Sequence, residues 1–206
     1  MTPRRGDRIA KRGFDIVAGA FLLAASLPAQ LVVAVLVRRN LGSPVLFKQR
    51  RPGLDGEVFT LLKFRTMREP RPGEGITSDG ARLTPLGRRL RATSLDELPS
   101  LINVIRGEMS LVGPRPLLIE YLDRYSPEQA RRHEVRPGIT GLAQISGRNA
   151  LTWDQKLALD VEYVDRHNVW MDLRILWRTV APVARGAGVA ADGEATTVEF
   201  MGTERG

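Results

Sequence analysis

The chain has 206 residues, 31 Lys and Arg against 23 Asp and Glu, a formal net charge of +8 and no cysteine. A hydrophobic share of 43% beside 26% charged residues excludes a disordered chain and suffices for one domain with a core. The missing cysteines exclude disulfides and thiolate metal sites, and the positive balance favours an anionic partner: nucleic acid, anionic lipid or a phosphorylated substrate.

From Ile16 to Val37 no residue is charged, a run that would extend about 33 Å as a helix, enough to cross a bilayer core. Arg4, Arg5, Arg8, Lys11 and Arg12 precede it, and Arg38 and Arg39 follow, with Lys48, Arg50 and Arg51 soon after. Positive flanks at both ends place both ends on the cytoplasmic side, which a simple span does not satisfy. Pro28 removes a backbone hydrogen bond and kinks a helix, and Ser26 can bond a backbone carbonyl and assist the bend. Three readings stand: a helix–break–helix that enters one leaflet and returns, a bilayer span, and a signal peptide or buried soluble helix. The apolar run continues through Leu31–Val37, unlike a signal segment, and its length and basic flanks argue against a buried helix. The re-entrant helix, broken at Ser26 and Pro28, is the reading adopted.

Val45–Gln49 and Val58–Phe64 read as two strands joined by the turn Pro52–Gly56, a hairpin. Pro70–Gly80, rich in glycine and proline, reads as a mobile loop. Thr84 is an N-cap with Pro85 at the first helical position, opening a short basic helix. A longer helix is predicted from about Glu97 to Ile105, stopping near Gly107. Val112-Gly113-Pro114-Arg115-Pro116 is too rich in proline for a helix or a central strand. Thr152-Trp153-Asp154-Gln155 is a capping box opening a helix to about Asn168, and Asp172–Ala184 is another helical run. Trp153, Trp170 and Trp177 take the core as their default place, with the headgroup layer as the rival. His133 and His167 read as ordinary surface residues. The fold class is α+β: an N-terminal re-entrant membrane helix, a small β-hairpin and several short amphipathic helices at the membrane surface. Residues 1–40 form the basic N-terminus and membrane helix, and 41–206 one cytoplasmic unit.

The most informative residues are Asp96 and Glu97, adjacent acids directly after the basic segment Leu86–Arg91. A bland reading is a capping box, Ser94 to Glu97, in which both acids complement the helix dipole. Pro99 would then delete a bond inside the helix. With Asp96 as N-cap, Pro99 falls at N3, where no bond is lost, and the acids lie beside free N–H groups that attract phosphate. A carboxylate there can bind a divalent metal or attack phosphorus. Lys63 and Arg65, alternating at the end of the second strand, either form a solvated edge or neutralise a diphosphate. Arg115 sits between prolines that fix its backbone. Arg136-Pro137-Gly138-Ile139-Thr140-Gly141 is a second rigid cationic turn, followed by Gln144 and Arg148. The sequence has no Walker loop, no Rossmann glycine fingerprint, no metal-spaced histidines and no Gly-x-Ser-x-Gly elbow.

Four segments in this order, Lys63–Met67, Ser94–Pro99, Leu111–Pro116 and Arg136–Gln144, resemble those of the bacterial sugar transferases, the monotopic polyprenyl-phosphate phosphoglycosyl transferases. The likeness runs from Lys11 to about Gly202 and is to the small, catalytic-domain-only type. The tail Gly193–Phe200 is similar to that of members acting on UDP-diacetylbacillosamine-like sugars. The resemblance implies a ping-pong reaction at the cytoplasmic face of the bacterial inner membrane. Asp96 would attack the sugar-linked phosphorus of a UDP-sugar and release UMP, and undecaprenyl phosphate would then take the phosphosugar. Glu97 would assist as the second acid. Mg2+ would sit at Asp96 and the diphosphate, and Lys63, Arg65, Arg91, Arg115, Pro116, Arg136, Gln144 and Arg148 are the candidates for phosphate or nucleotide binding. The rivals are a basic membrane-surface or nucleic-acid binding module and a scaffold of a glycan assembly complex. The arginine segments lack the clustered aromatics of a base-stacking surface, so nucleic acid is not expected as a partner. The oligomeric state is left open.

Overall fold

A computed structural model describes residues 5–69, 79–147, 150–184 and 199–202. It is a mixed α+β chain, as the sequence predicts. Helix α1 runs uninterrupted from Arg5 to Leu41 with Pro28 inside it, so the expected break into two helices is not seen, and only 11% of its most apolar stretch is buried inside the protein. Phe21, Leu27, Leu31 and Val32 stand exposed, which is the pattern of a helix meant for a non-aqueous surrounding and not of a core helix. Ser26 donates to the carbonyls of Leu22 (2.6 Å) and Leu23 (3.2 Å), as expected, and in turn accepts from Gln30 (2.9 Å).

Both ends of α1 dock on the folded body. Before the proline, Lys11 donates to Asp172 (2.6 Å) and the Val112 carbonyl (3.2 Å), and Arg12 donates to the carbonyls of Val104 and Ile105. Asp15, 2% exposed, accepts from Ser110 and the Leu111 N–H. After the proline, Val33 and Val37 are buried with Phe64 and Leu90. Lys11 and Arg12, read as basic flanks, are therefore also tethers whose charges find buried partners.

Strands β1 (Leu46–Pro52) and β2 (Val58–Phe64) form the expected antiparallel hairpin. A one-turn helix α2 (Asp79–Arg82) falls at the end of the expected loop; residues 70–78 of that loop lie outside the described residues. Helix α3 (Pro85–Ala92) starts as predicted, with the Thr84 hydroxyl accepting from the Gly87 N–H at 3.0 Å. Gly87 permits a close approach: a Cβ there would lie 1.9 Å from the Thr66 carbonyl oxygen. Helix α4 (Ser100–Arg106) ends at Gly107, whose φ of 88° is the left-handed cap that glycine adopts without strain.

One pairing went unread. Strand β3 (Ser110–Val112) runs parallel to β4 (Gly138–Thr140); of the segment Val112–Pro116, read as too rich in proline for a helix or a central strand, only Val112 joins it, as the last residue of β3. Between them come the 3₁₀ turn Ile119–Arg124, helix α5 (Pro127–Ala130) and a second 3₁₀ turn, Arg131–Glu134. Helix α6 (Leu142–Ser146) leads to α7 (Trp153–Arg166), which has the predicted capping box, and to α8 (Val169–Ala184).

The tryptophans divide. Trp153 packs with buried Tyr121, Leu157 and Phe200, whereas Trp170 and Trp177 are 80% and 79% exposed. The default of a core role fails for these two, because they lie on the face of α8 opposite buried Asp172 and Ile175. The histidines are not free surface groups either. His133 Nδ1 meets the Gly53 carbonyl at 3.1 Å and its ring packs on Tyr125, and the His167 ring stacks on Tyr163 at the end of α7.

Candidate active site

The acid pair does not begin a helix. Ser94 takes a left-handed φ of 56° and makes no side-chain cap, and Leu95–Glu97 form a 3₁₀ turn. Pro99 is the N-cap of α4, so the helix starts three residues later than predicted. Neither capping arrangement drawn from the sequence forms. The left-handed residue reverses the chain after α3, with the Ser94 N–H on the Arg91 carbonyl at 3.2 Å, and so lays the acids beside the last turn of the basic helix.

What fixes the turn is the edge of β2 that faces away from β1. Asn103, fully buried, accepts from the Leu62 N–H at 3.1 Å and donates to the Thr60 carbonyl at 2.8 Å; Ser100 donates to the Leu62 carbonyl at 2.7 Å. These bonds satisfy main-chain groups that would otherwise be buried unpaired. They also bring Lys63, next on the strand, to Glu97: its Nζ lies 2.6 Å from Oε1, and Arg115 Nη2 reaches the same oxygen at 3.1 Å. Ser100 and Asn103 were not read from the sequence as site residues. The signal was present in a polar Asn inside the apolar run Leu101–Ile105.

Asp96 is 7% exposed, and among the described residues no hydrogen bond reaches its carboxylate. Burial, then repulsion from Glu97, raises its pKa, against the pull of Lys63, Arg91 and Arg115. Glu97 moves the other way: burial opposes ionisation, but Lys63 and Arg115 outweigh it. Two adjacent acids are thus driven apart. Glu97 is the committed anion, and Asp96 is the carboxylate that no described residue hydrogen-bonds. Lys63 is lowered by burial first, with Glu97 opposing.

The remaining predicted residues separate by partner. Arg91 Nε bonds the Thr66 hydroxyl at 3.1 Å and its charge acts on Asp96, so it belongs with Lys63 and Arg115. Pro116 is buried and flanks Arg115. Arg65 is engaged elsewhere: its guanidinium bonds the carbonyls of Leu41 and Ser43 and the Glu69 carboxylate. The strand ends at Phe64, so the alternation that put Arg65 beside Lys63 stops, and Arg65 caps the end of α1. Arg136 Nε bonds the Gly107 carbonyl at 2.7 Å, closing off α4. Gln144 holds both amide atoms buried without a hydrogen-bond partner among the described residues. Arg148 lies outside the described residues. Arg51 was named only as a basic flank, yet it belongs to the site's surroundings: burial and then the nearby Arg115 lower it to about 10.

For a metal, the described residues hold no group of three or more His, Cys, Asp or Glu. Mg2+ needs no such cage, being held by one or two carboxylates together with substrate phosphates. The open carboxylate of Asp96 fits that use.

Residues 6–186 match the family described as bacterial sugar transferase. This chain belongs to that family. It is 51% identical over 196 residues to EpsL of Bacillus subtilis, named an uncharacterized sugar transferase, covering 95% of this chain and 97% of that protein. It is 44% identical to a UDP-glucose:undecaprenyl-phosphate glucose-1-phosphate transferase of Caulobacter vibrioides (86% and 71% covered). With the exopolysaccharide production protein ExoY of Rhizobium meliloti it shares 37% identity (87% and 88% covered). The family expected from the four ordered segments is the family found.

Proposed function

We propose that this sugar transferase moves a sugar-1-phosphate from a UDP-sugar to undecaprenyl phosphate, with Asp96 as the covalent nucleophile. The observation that carries the reading is a nearly buried carboxylate with no hydrogen bond among the described residues, beside an acid pinned by two cations. An Asp96 oxygen attacks the sugar-bearing phosphorus; the bond from that phosphorus to the bridging oxygen breaks, and UMP leaves. A phosphate oxygen of the lipid then attacks the same phosphorus and breaks its bond to Asp96. One hard transfer becomes two easier ones. Phosphoryl transfer relies on positioning and charge neutralisation, here supplied by Lys63, Arg91 and Arg115. Glu97 holds Lys63 and Arg115 in place and assists the attack of the lipid phosphate. A bound magnesium ion would add charge neutralisation at the diphosphate, with Asp96 as the protein residue that holds it.

The acceptor sets the location. Its phosphate lies at headgroup depth on the cytoplasmic face, with α1 entering one leaflet and returning; the exposed apolar residues of α1 and the exposed Trp170, Leu173 and Trp177 of α8 support a site at that depth. Exposed Arg174 and Arg178 on α8 suit anionic headgroups, and tryptophan favours that layer. The tail's likeness favours an N-acetylated amino sugar as donor, against the glucose and galactose in relatives' names.

The test is UMP release by the protein in membranes from a panel of UDP-glucose, UDP-galactose, UDP-N-acetylglucosamine and UDP-diacetylbacillosamine, with undecaprenyl phosphate present. Quenched protein should carry a phosphosugar mass adduct on Asp96; product without that adduct removes the covalent mechanism. A binding module or scaffold would release no UMP from any donor. Tags at both termini should label only from the cytoplasmic side, and a periplasmic C-terminal tag removes the re-entrant topology.

A further inference from the structure

Arg115 is restrained along its backbone but lightly held at its tip. Pro114 has a fixed φ, and Pro116 confines Arg115 to extended conformations. The Pro114 carbonyl is held by the Gly138 N–H at 2.9 Å, so the freedom left begins at Arg115 itself, and the guanidinium, whose side chain is 41% exposed, has Glu97 as its hydrogen-bond partner among the described residues. A pivot of about 1 Å at the backbone would be enough to move the tip out of contact. A second arginine contacts the backbone at that point. Arg132, 2% exposed, donates from Nη2 to the Arg115 carbonyl at 2.7 Å. The same guanidinium meets Asp160 Oδ2 from Nε at 3.1 Å and from Nη2 at 2.8 Å, and donates from Nη1 to the Tyr125 hydroxyl at 3.3 Å.

We propose that Arg132, oriented by Asp160, is a positioning residue that aims Arg115 at Glu97 and at the donor's diphosphate by gripping the Arg115 carbonyl. The inference rests on the reading of Arg115 as a phosphate-binding residue. A buried ion pair serving only the fold is exchangeable for apolar residues of similar volume, often without loss of stability. Here one arm of the fork is spent on the main chain of a site residue, and that contact is lost in the exchange. Lysine in place of Arg132 keeps the charge opposite Asp160 but has no planar fork to span both partners.

The experiment is a mutant cycle on UMP release, using the most active donor of the four-sugar panel, with melting temperature recorded for each protein. Arg115→Ala should lower kcat/KM about 100-fold, the scale of one lost charge-stabilising donor. Arg132→Lys should lower it about 10-fold, as expected for a displaced but surviving contact. The combined variant should be no worse than Arg115→Ala alone, since Arg132 acts through the residue already removed. If the two losses multiply to about 1,000-fold, Arg132 acts independently and the inference falls while Arg115 keeps its role. Wild-type activity in Arg115→Ala would instead remove the reading of Arg115 beneath it. Should Arg132→Lys fail to fold, Arg132→Met with Asp160→Leu takes its place in the cycle. Failure of that protein to fold as well would overturn the inference, because the pair would then be serving the core.

Discussion

Asp96 and Asp160 are both aspartates with almost no exposed surface, at 7% and 4%, yet they are solved in opposite ways. Asp160 is met by Arg132 at 2.8 and 3.1 Å, so directed, charge-assisted bonds offset part of a burial that still raises its pKa. Asp96 sits as deep and accepts no hydrogen bond among the described residues, with only the field of Lys63, Arg91 and Arg115 in its favour and Glu97 against it. A fold does not keep a carboxylate in that condition for its own stability. The difference separates a group that completes the structure from one held ready for a ligand or a bond still to come.

The sharpest way to break the comparison is to neutralise each acid in turn. Asp96→Asn should reduce UMP release by about 10⁴-fold or more, the scale on which nucleophile removal acts, while its melting temperature stays equal to wild type or rises. Retained turnover would refute the assignment of the nucleophile, and a marked loss of stability would refute the contrast. Asp160→Ala should do the reverse in kind. By stranding a buried guanidinium it should cost about 3–5 kcal/mol of stability, measured by denaturant or thermal unfolding in nanodiscs. An unchanged unfolding midpoint would mean that Arg132 finds water or another partner once Asp160 is gone, and is not stranded by its loss.

Much of this division is legible in the amino-acid sequence, and its gaps have physical causes. Local chemistry carried Thr84 with Pro85, the capping box at Thr152, the stop at Gly107 and the hairpin, because each depends on residues only a few positions apart. Asp96, Glu97, Lys63 and Arg115 were legible as residue types in a suggestive order, but the shape of their turn was not. The 3₁₀ geometry and the left-handed Ser94 are imposed by Ser100 and Asn103 gripping β2, some 40 residues away in the chain, and tertiary contacts override local capping preferences. Arg65 misled because alternation was extended one residue past the end of a strand. Asp15, Arg132 and Asp160 were silent for a related reason: a charge reads as surface until its partner, remote in sequence, is known.

Arg51 sharpens the contrast from the cationic side. Its guanidinium donates to Gln49 at 2.6 and 3.1 Å, and burial followed by the neighbouring Arg115 holds its pKa down to about 10. Two cations set close together resemble Asp96 in reverse, a charge placed where the fold gains little from it. Arg51→Ala should therefore leave the melting temperature within a few degrees of wild type and lower kcat/KM for the UDP-sugar about 10-fold, as for one phosphate contact at partial exposure. A stability loss without a kinetic effect would move Arg51 to the structural side of the comparison.

The smallest expected effect lies beside Arg132 and concerns whether that region stays balanced when the pH falls. Burial first, and then Arg132, hold His133 down to about 4 from its usual 6.5, against the opposing bond to Gly53. The sign follows from which state binds the proton more readily. Below about pH 6.5 the unfolded chain takes up a proton that the folded chain refuses until about pH 4, so stability is complete above 6.5 and drains away as pH falls through that window. Asn at 133 can still donate to the Gly53 carbonyl but cannot be protonated. The difference in melting temperature between wild type and His133→Asn should therefore be constant above pH 6.5 and change in the variant's favour, by a few degrees, between 6.5 and 4. Parallel curves across the window would mean that His133 is hydrated and titrates normally. The aromatic and guanidinium groups around it would then form a wetter, looser support for Arg115 than the contrast between the two aspartates requires.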